Sequence, residues 1–239
     1  MKAAIAAGMT LMACVSNAQV ESGAWAKLGA GLFTNDEKAV YGSFEVGSSL
    51  GRDFRVQLGG TASPFHRFDL GTSSVRYGGR DLELLGTYKV SKILPLELSL
   101  GIDQPWTPAR TDTALSYRAL ATLPTGKQAK WWLTAYGIAG ADSIAMVGTG
   151  ASLAVGHGLE LMASGALPVQ GNNSVSPSSG NRDRLGVYSV GLGVPSSFCR
   201  YQSLVEIAIT NQVGWTTGMA ATPTIGGFPG VRVSFEVRF

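Results

Sequence analysis

From about residue 24 to its last residue, this chain alternates apolar with polar side chains. A period of two marks extended strands with one face against an apolar medium. Twelve segments carry the pattern: 24–33, 40–50, 54–62, 82–90, 96–103, 113–123, 129–139, 145–155, 159–169, 185–194, 201–211 and 231–239. The fifth, with Leu96, Leu98, Leu100 and Ile102 on one phase, is representative. Fourteen charged residues fall within the segments: Lys27, Glu45, Arg55, Glu83, Lys89, Glu97, Asp103, Arg118, Lys130, Glu160, Glu206, Arg232, Glu236 and Arg238. All stand on the phase opposite the apolar residues. A lipid-facing surface enforces such segregation, because Lys or Arg at mid-depth costs about 2–4 kcal/mol.

The gaps between segments carry a second signal. After even-numbered segments they are short, 3, 5, 5, 3 and 6 residues. After odd-numbered ones they are 6, 19, 9, 5, 15 and 19 residues, the longest being 63–81, 170–184 and 212–230. Short turns at one rim and longer loops at the other are the pattern of transmembrane barrels, and an even strand count leaves both termini at the short-turn rim. Gly51-Arg52-Asp53 and Gly156-His157-Gly158 are tight-turn signals. Phe54, Tyr88, Trp131, Tyr201 and Phe239 stand on the apolar phase at the short-turn end. They form an aromatic belt of the kind that favours a membrane interface.

Composition agrees. Charged residues make up 15% of the chain, against about 25% in typical soluble domains. A net charge of +3 is too balanced for nucleic-acid binding. Met1-Lys2, the apolar run 3–15 and Ser16-Asn17-Ala18 form a secretory signal peptide over 1–18, leaving one domain over 19–239. Leu11-Met12-Ala13-Cys14 offers a lipoprotein cleavage site as the alternative. With cleavage after Ala18 only Cys199 remains, which excludes an internal disulfide and a thiolate metal cluster. After the leader no apolar run approaches the length of a membrane helix, so a membrane location requires a closed barrel.

The expected fold is all-β: a transmembrane antiparallel up-and-down β-barrel of about twelve strands, with ten or fourteen as alternatives. Its lumen would be lined by the fourteen charged residues together with Gln57. Seven of the fourteen are positive and seven negative, which favours neither anions nor cations. The expected function is passive passage of small solutes, motivated by the polar inner phase and by the lack of a plug ahead of the first strand. A structural or surface-interaction barrel acting through its long loops is the alternative. Catalysis is not expected. His66, with Ser63 and Asp69 nearby, is the one conceivable nucleophilic constellation, and His157 belongs to the opposite rim. The Gly-rich stretches lack the Lys-Ser/Thr of a phosphate cradle, and neither cofactor nor metal is expected.

The last nine residues, with Val231, Val233, Phe235, Val237 and Phe239 on one phase, resemble the C-terminal sorting signal of Gram-negative outer-membrane β-barrel proteins. That resemblance implies a bacterial outer-membrane location, contact with outer-membrane lipid, and recognition by barrel-assembly machinery. Leu123-Pro124-Thr125-Gly126 also resembles a turn of outer-membrane transporters of the phenol-degradation type.

Overall fold

A computed structural model describes residues 23–33, 40–69, 74–91, 95–106, 112–125, 128–140, 143–156, 158–175, 182–198, 201–221 and 227–239. Residues 1–18, expected to form the leader, as well as His157 and Cys199, lie outside the described residues.

The alternating segments become one closed antiparallel sheet of twelve strands. These are β1 (Trp25–Phe33), β2 (Val40–Ser49), β3 (Phe54–Asp69), β4 (Ser74–Ser91), β5 (Leu96–Trp106), β6 (Ala114–Pro124), β7 (Ala129–Ala139), β8 (Ile144–Gly156) and β9 (Leu159–Gln170). A two-residue ribbon, β10 (Ser174–Val175) with β11 (Arg182–Asp183), interrupts the series. The barrel resumes with β12 (Val187–Phe198), β13 (Tyr201–Thr210) and β14 (Gly230–Arg238). Sequential strands pair throughout, β12 bridges back to β9, and β14 pairs with β1 to close the ring, Trp25 opposite Arg238 and Phe33 opposite Gly230. Closure satisfies every edge, which an open sheet in hydrocarbon could not do.

The burial pattern is that of a barrel turned inside out relative to a soluble sandwich. On β5 Leu100 and Ile102 are 63% and 54% exposed, whereas Ser99 and Asp103 are 8% and 0% exposed. The apolar phase faces outward, and among the described residues no second protein layer covers it. Polar side chains pair across the inner wall: Thr87 Oγ1 with Ser99 Oγ at 2.8 Å, and Ser43 Oγ with Thr61 Oγ1 at 3.2 Å. At the rim holding both termini, Tyr201 and Phe239 meet edge to face at 5.0 Å, and Phe54 stands opposite Tyr88.

Two long connections differ from the sequence expectation. Residues 63–81, read as a loop, are mostly strand. β3 and β4 remain paired from Ala62–Arg80 to Asp69–Ser74, with a bulge between Ser63 and His66. β2 pairs no further along β3 than Ala62, and β5 no further along β4 than Arg80. The hairpin therefore rises alone above the rim, about 20 Å at roughly 3.3 Å per residue. The alternation simply continues: Asp81, placed in a loop by the sequence, is an inward strand residue and buried. Of residues 212–230, also read as an external loop, the described stretch 212–221 runs into the barrel. It carries the one-turn helix α1 (Thr217–Ala220), which packs on β4, β5, β6 and β7.

Candidate functional site

The lumen is organised around that inserted segment. It leaves β13 at Asn211, whose side-chain amide imitates a strand partner. Asn211 Oδ1 accepts from the Tyr188 N–H at 2.8 Å, and Nδ2 donates to the Gly186 carbonyl at 2.9 Å. The segment then crosses the barrel interior. Gly214 lies against Thr61 and Thr216 against Gly59, both on β3. Trp215 presses on β1, where a Cβ at Gly29 would sit 2.4 Å from its ring. Only glycine at position 29 leaves room for the indole.

Charges from the wall hold Trp215 and the helix. Lys27 Nζ stands 4.5 Å from the Trp215 ring centroid, and the Arg232 guanidinium 5.7 Å. Cations over an indole face are attracted by its quadrupole. Both cations share one carboxylate: Glu206 lies 3.6 Å from Lys27 Nζ and 2.9 Å from Arg232 Nη2. On the other side Arg118 of β6 is the anchor. Its Nε donates to Thr217 Oγ1 at 2.7 Å, and its Nη2 to the Trp215 carbonyl at 2.8 Å and to Glu83 Oε2 at 3.0 Å. Glu83 Oε2 also accepts the Thr217 N–H at 3.1 Å. Glu83 is 1% exposed, so its charge depends on these partners. Gly218 rests on two further acids: a Cβ there would be 2.2 Å from Asp103 Oδ2 and 3.1 Å from Asp81 Oδ2.

The far end of the segment is clamped differently. Asn173 Nδ2 donates to the Ala221 and Leu185 carbonyls, both at 2.8 Å, and Tyr136 Oη to the Ala220 carbonyl at 3.4 Å. Ala221 joins a small apolar cluster with Ile138, Ile144, Met146 and Val187. The inner wall is thus apolar at this docking patch, and again where Val213 of the segment packs on the buried Phe33 and Tyr41.

The remaining sequence-derived lumen residues lie nearer the rim of the termini. Glu45 accepts from Trp25 Nε1 at 2.9 Å and from Gln57 Nε2 at 3.5 Å, and Arg55 pairs with Glu97. Arg238 Nε donates to Glu236 at 2.7 Å. Lys89 stands opposite Glu97, Lys130 opposite Pro124 and Ser152, and Glu160 opposite Ala154 and Gly193. None of these touches the inserted segment through a described contact. Lys27, Glu83, Asp103, Arg118, Glu206 and Arg232 are drawn into the network around it. Ser63, His66 and Asp69 lie along the β3 hairpin strand, where the His66 side chain is outside the description.

Between the segment and the wall of β7, β9 and β12 lies a cavity of ≈ 200 Å³. Trp132, Thr134, Tyr136, Ser164, Arg118 and Trp215 contribute to its lining. The sequence reading missed Asp81, Asn173, Asn211 and the whole inserted segment. One signal was present: from Asn211 to Gly230 there is no Asp, Glu, Lys or Arg. A water-exposed loop of that length rarely forgoes charge while carrying a Trp.

No known family's sequence pattern matches this chain, and neither does any curated protein sequence. Solved structures do. An outer-membrane channel from Pseudomonas putida F1 is 10% identical, with 93% of this chain and 97% of that one aligned at a TM-score of 0.50. Outer membrane phospholipase A from Escherichia coli is 10% identical over 92% and 96%, TM-score 0.43. The Salmonella typhi outer membrane phospholipase dimer with bound calcium is 12% identical over 94% of each chain, TM-score 0.43. At these identities the similarity to the Pseudomonas channel establishes the outer-membrane barrel fold and nothing finer.

Proposed function

We propose that the protein is a passive channel for small solutes in a Gram-negative outer membrane, with residues 212–221 as its gate. The observation carrying this reading is the crossing of a polar lumen by a segment held through the Arg118–Glu83 hydrogen bonds. The inserted segment plugs the lumen from within, so resting passage is restricted and opening requires the segment to move. A twelve-stranded barrel is wide enough for such a segment to matter, since eight strands are filled by side chains and sixteen or more leave a channel. The apolar outer face would contact lipid, and the last strand would be read by barrel-assembly machinery.

The test is conductance in planar bilayers. Replacing 212–221 by a short Gly-Ser link should raise single-channel conductance severalfold over the intact protein. Equal conductance would remove the gate, and silence from both proteins would remove the channel.

The free-standing β3–β4 hairpin favours a second reading, a barrel that meets a partner at the cell surface. Shortening it between Ser63 and Gly79 would then abolish the phenotype while leaving conductance intact. Catalysis is not part of the proposal. His66→Ala in a lipid-hydrolysis assay would overturn that position by removing an activity the intact protein shows.

A further inference from the structure

We propose that the cavity beneath the inserted segment is a binding site for a neutral, monosaccharide-sized polyol, a substrate class for the channel reading on which this inference rests. Its volume of ≈ 200 Å³ equals about seven waters at their liquid share of roughly 30 Å³. That is about the size of one hexose ring.

The walls select the chemistry. Trp132 lies across Gly150 of β8, where a Cβ would come within 2.3 Å of its ring. Its indole is therefore packed on that wall, and it lines the cavity together with Trp215 of the segment. Indole faces are electron-rich and attract the weakly positive C–H face of a sugar ring. Thr134 stands opposite Gly148, and Ser164 opposite Gly150. Neither residue therefore meets a β8 side chain directly across its pair. Gln212 from the segment and Arg118 from β6 complete the polar lining.

Three competing ligand classes fit less well. Among the described residues Arg118 is the only charged one in the lining, which disfavours a cation. An anion meets Glu83 3.0 Å behind that guanidinium, so the attraction of Arg118 is already offset. A purely apolar solute would desolvate Thr134, Ser164 and Gln212 without replacing their hydrogen bonds, and sites built to bond polar groups reject ligands that lack them. A neutral molecule with many hydroxyls and one C–H face satisfies both kinds of wall.

Binding and passage are measured separately. Protein folded in a detergent without a sugar headgroup is titrated calorimetrically with glucose, inositol, gluconate, glucosamine and maltose. Proteoliposome swelling follows the same five. Glucose and inositol should bind and pass saturably, while gluconate, glucosamine and maltose should be at least about tenfold weaker. Thr134→Val with Ser164→Ala should weaken glucose about tenfold, as expected for losing two hydrogen bonds. Heat-modified gel mobility checks the fold of that variant, and Trp132→Leu provides an independent loss of stacking. Glucose binding no tighter than gluconate or glucosamine, or unaffected by both variants, overturns the inference even if ions pass. Saturable glucose binding by the intact protein, with no passage through either the intact or the 212–221-deleted protein, upholds this site and overturns the channel.

Discussion

At the scale of single residues, the lumen is decided by which charges lose water together. Arg118 ties Glu83 to the segment, and Glu83 is buried almost completely. A buried pair adds little net stability, but removing one partner strands the other. Arg118→Ala should therefore cost about 3–5 kcal/mol, read as a lowered midpoint of heat-induced gel-mobility change, and it should raise open probability in bilayers. Arg118→Lys should rescue only in part, because one ammonium cannot replace the guanidinium fork that reaches Thr217, Trp215 and Glu83 together. Gly218 acts sterically. A methyl there collides with Asp103, a buried acid with nowhere to retreat. Gly218→Ala should unseat α1 with the barrel intact, giving wild-type gel mobility and new protease sensitivity between 212 and 221.

At the scale of elements, two strand pairs depart from the simple barrel. β3 and β4 run on past their neighbours because the backbone pairing and alternation continue beyond the wall. A two-stranded ribbon is marginal by itself, so this one depends on the barrel below it. Removing residues 64–78 and rejoining the strands with a two-residue turn should leave the heat-modification midpoint within about 1 kcal/mol of wild type, since few surface changes exceed that. A fall of several kcal/mol would mean the ribbon packs on the barrel. The connection from β13 to β14 is the opposite case. It has no strand alternation of its own, and α1 is one turn long, too short to persist unsupported. The shape of its described part, 212–221, is imposed by Asn211 and Asn173 at the two ends and by Arg118 at the centre.

At the scale of the whole molecule, the outer surface is the controlling feature. Leu100 and Ile102 face outward near mid-strand, and Ser99 beside them faces in. Leu100→Arg should lower refolding stability in lipid by about 2–4 kcal/mol, while Leu100→Ile should have little effect. If Leu100→Arg were neutral in lipid vesicles, that face would not be in hydrocarbon. The inner face has no comparable uniformity. Polar networks fill it toward the termini, mixed charges surround Trp215, and Ile138, Ile144 and Met146 make an apolar berth for the end of the segment.

The sequence by itself determined the outside of this protein. Hydrocarbon is a uniform solvent, so every strand had to satisfy the same period-two rule, and the rule is legible one residue at a time in β5, β8 or β14. It also placed Lys27, Glu83, Arg118, Glu206 and Arg232 on the inner phase. What those side chains would meet there depended on partners tens of residues away, Thr217 on Arg118 and Trp215 on Lys27, which no local periodicity encodes. Only the tertiary structure decided that an uncharged connection would turn inward. Its polar groups find partners only on the assembled wall, in Arg118, Glu83 and Tyr136 of three different strands.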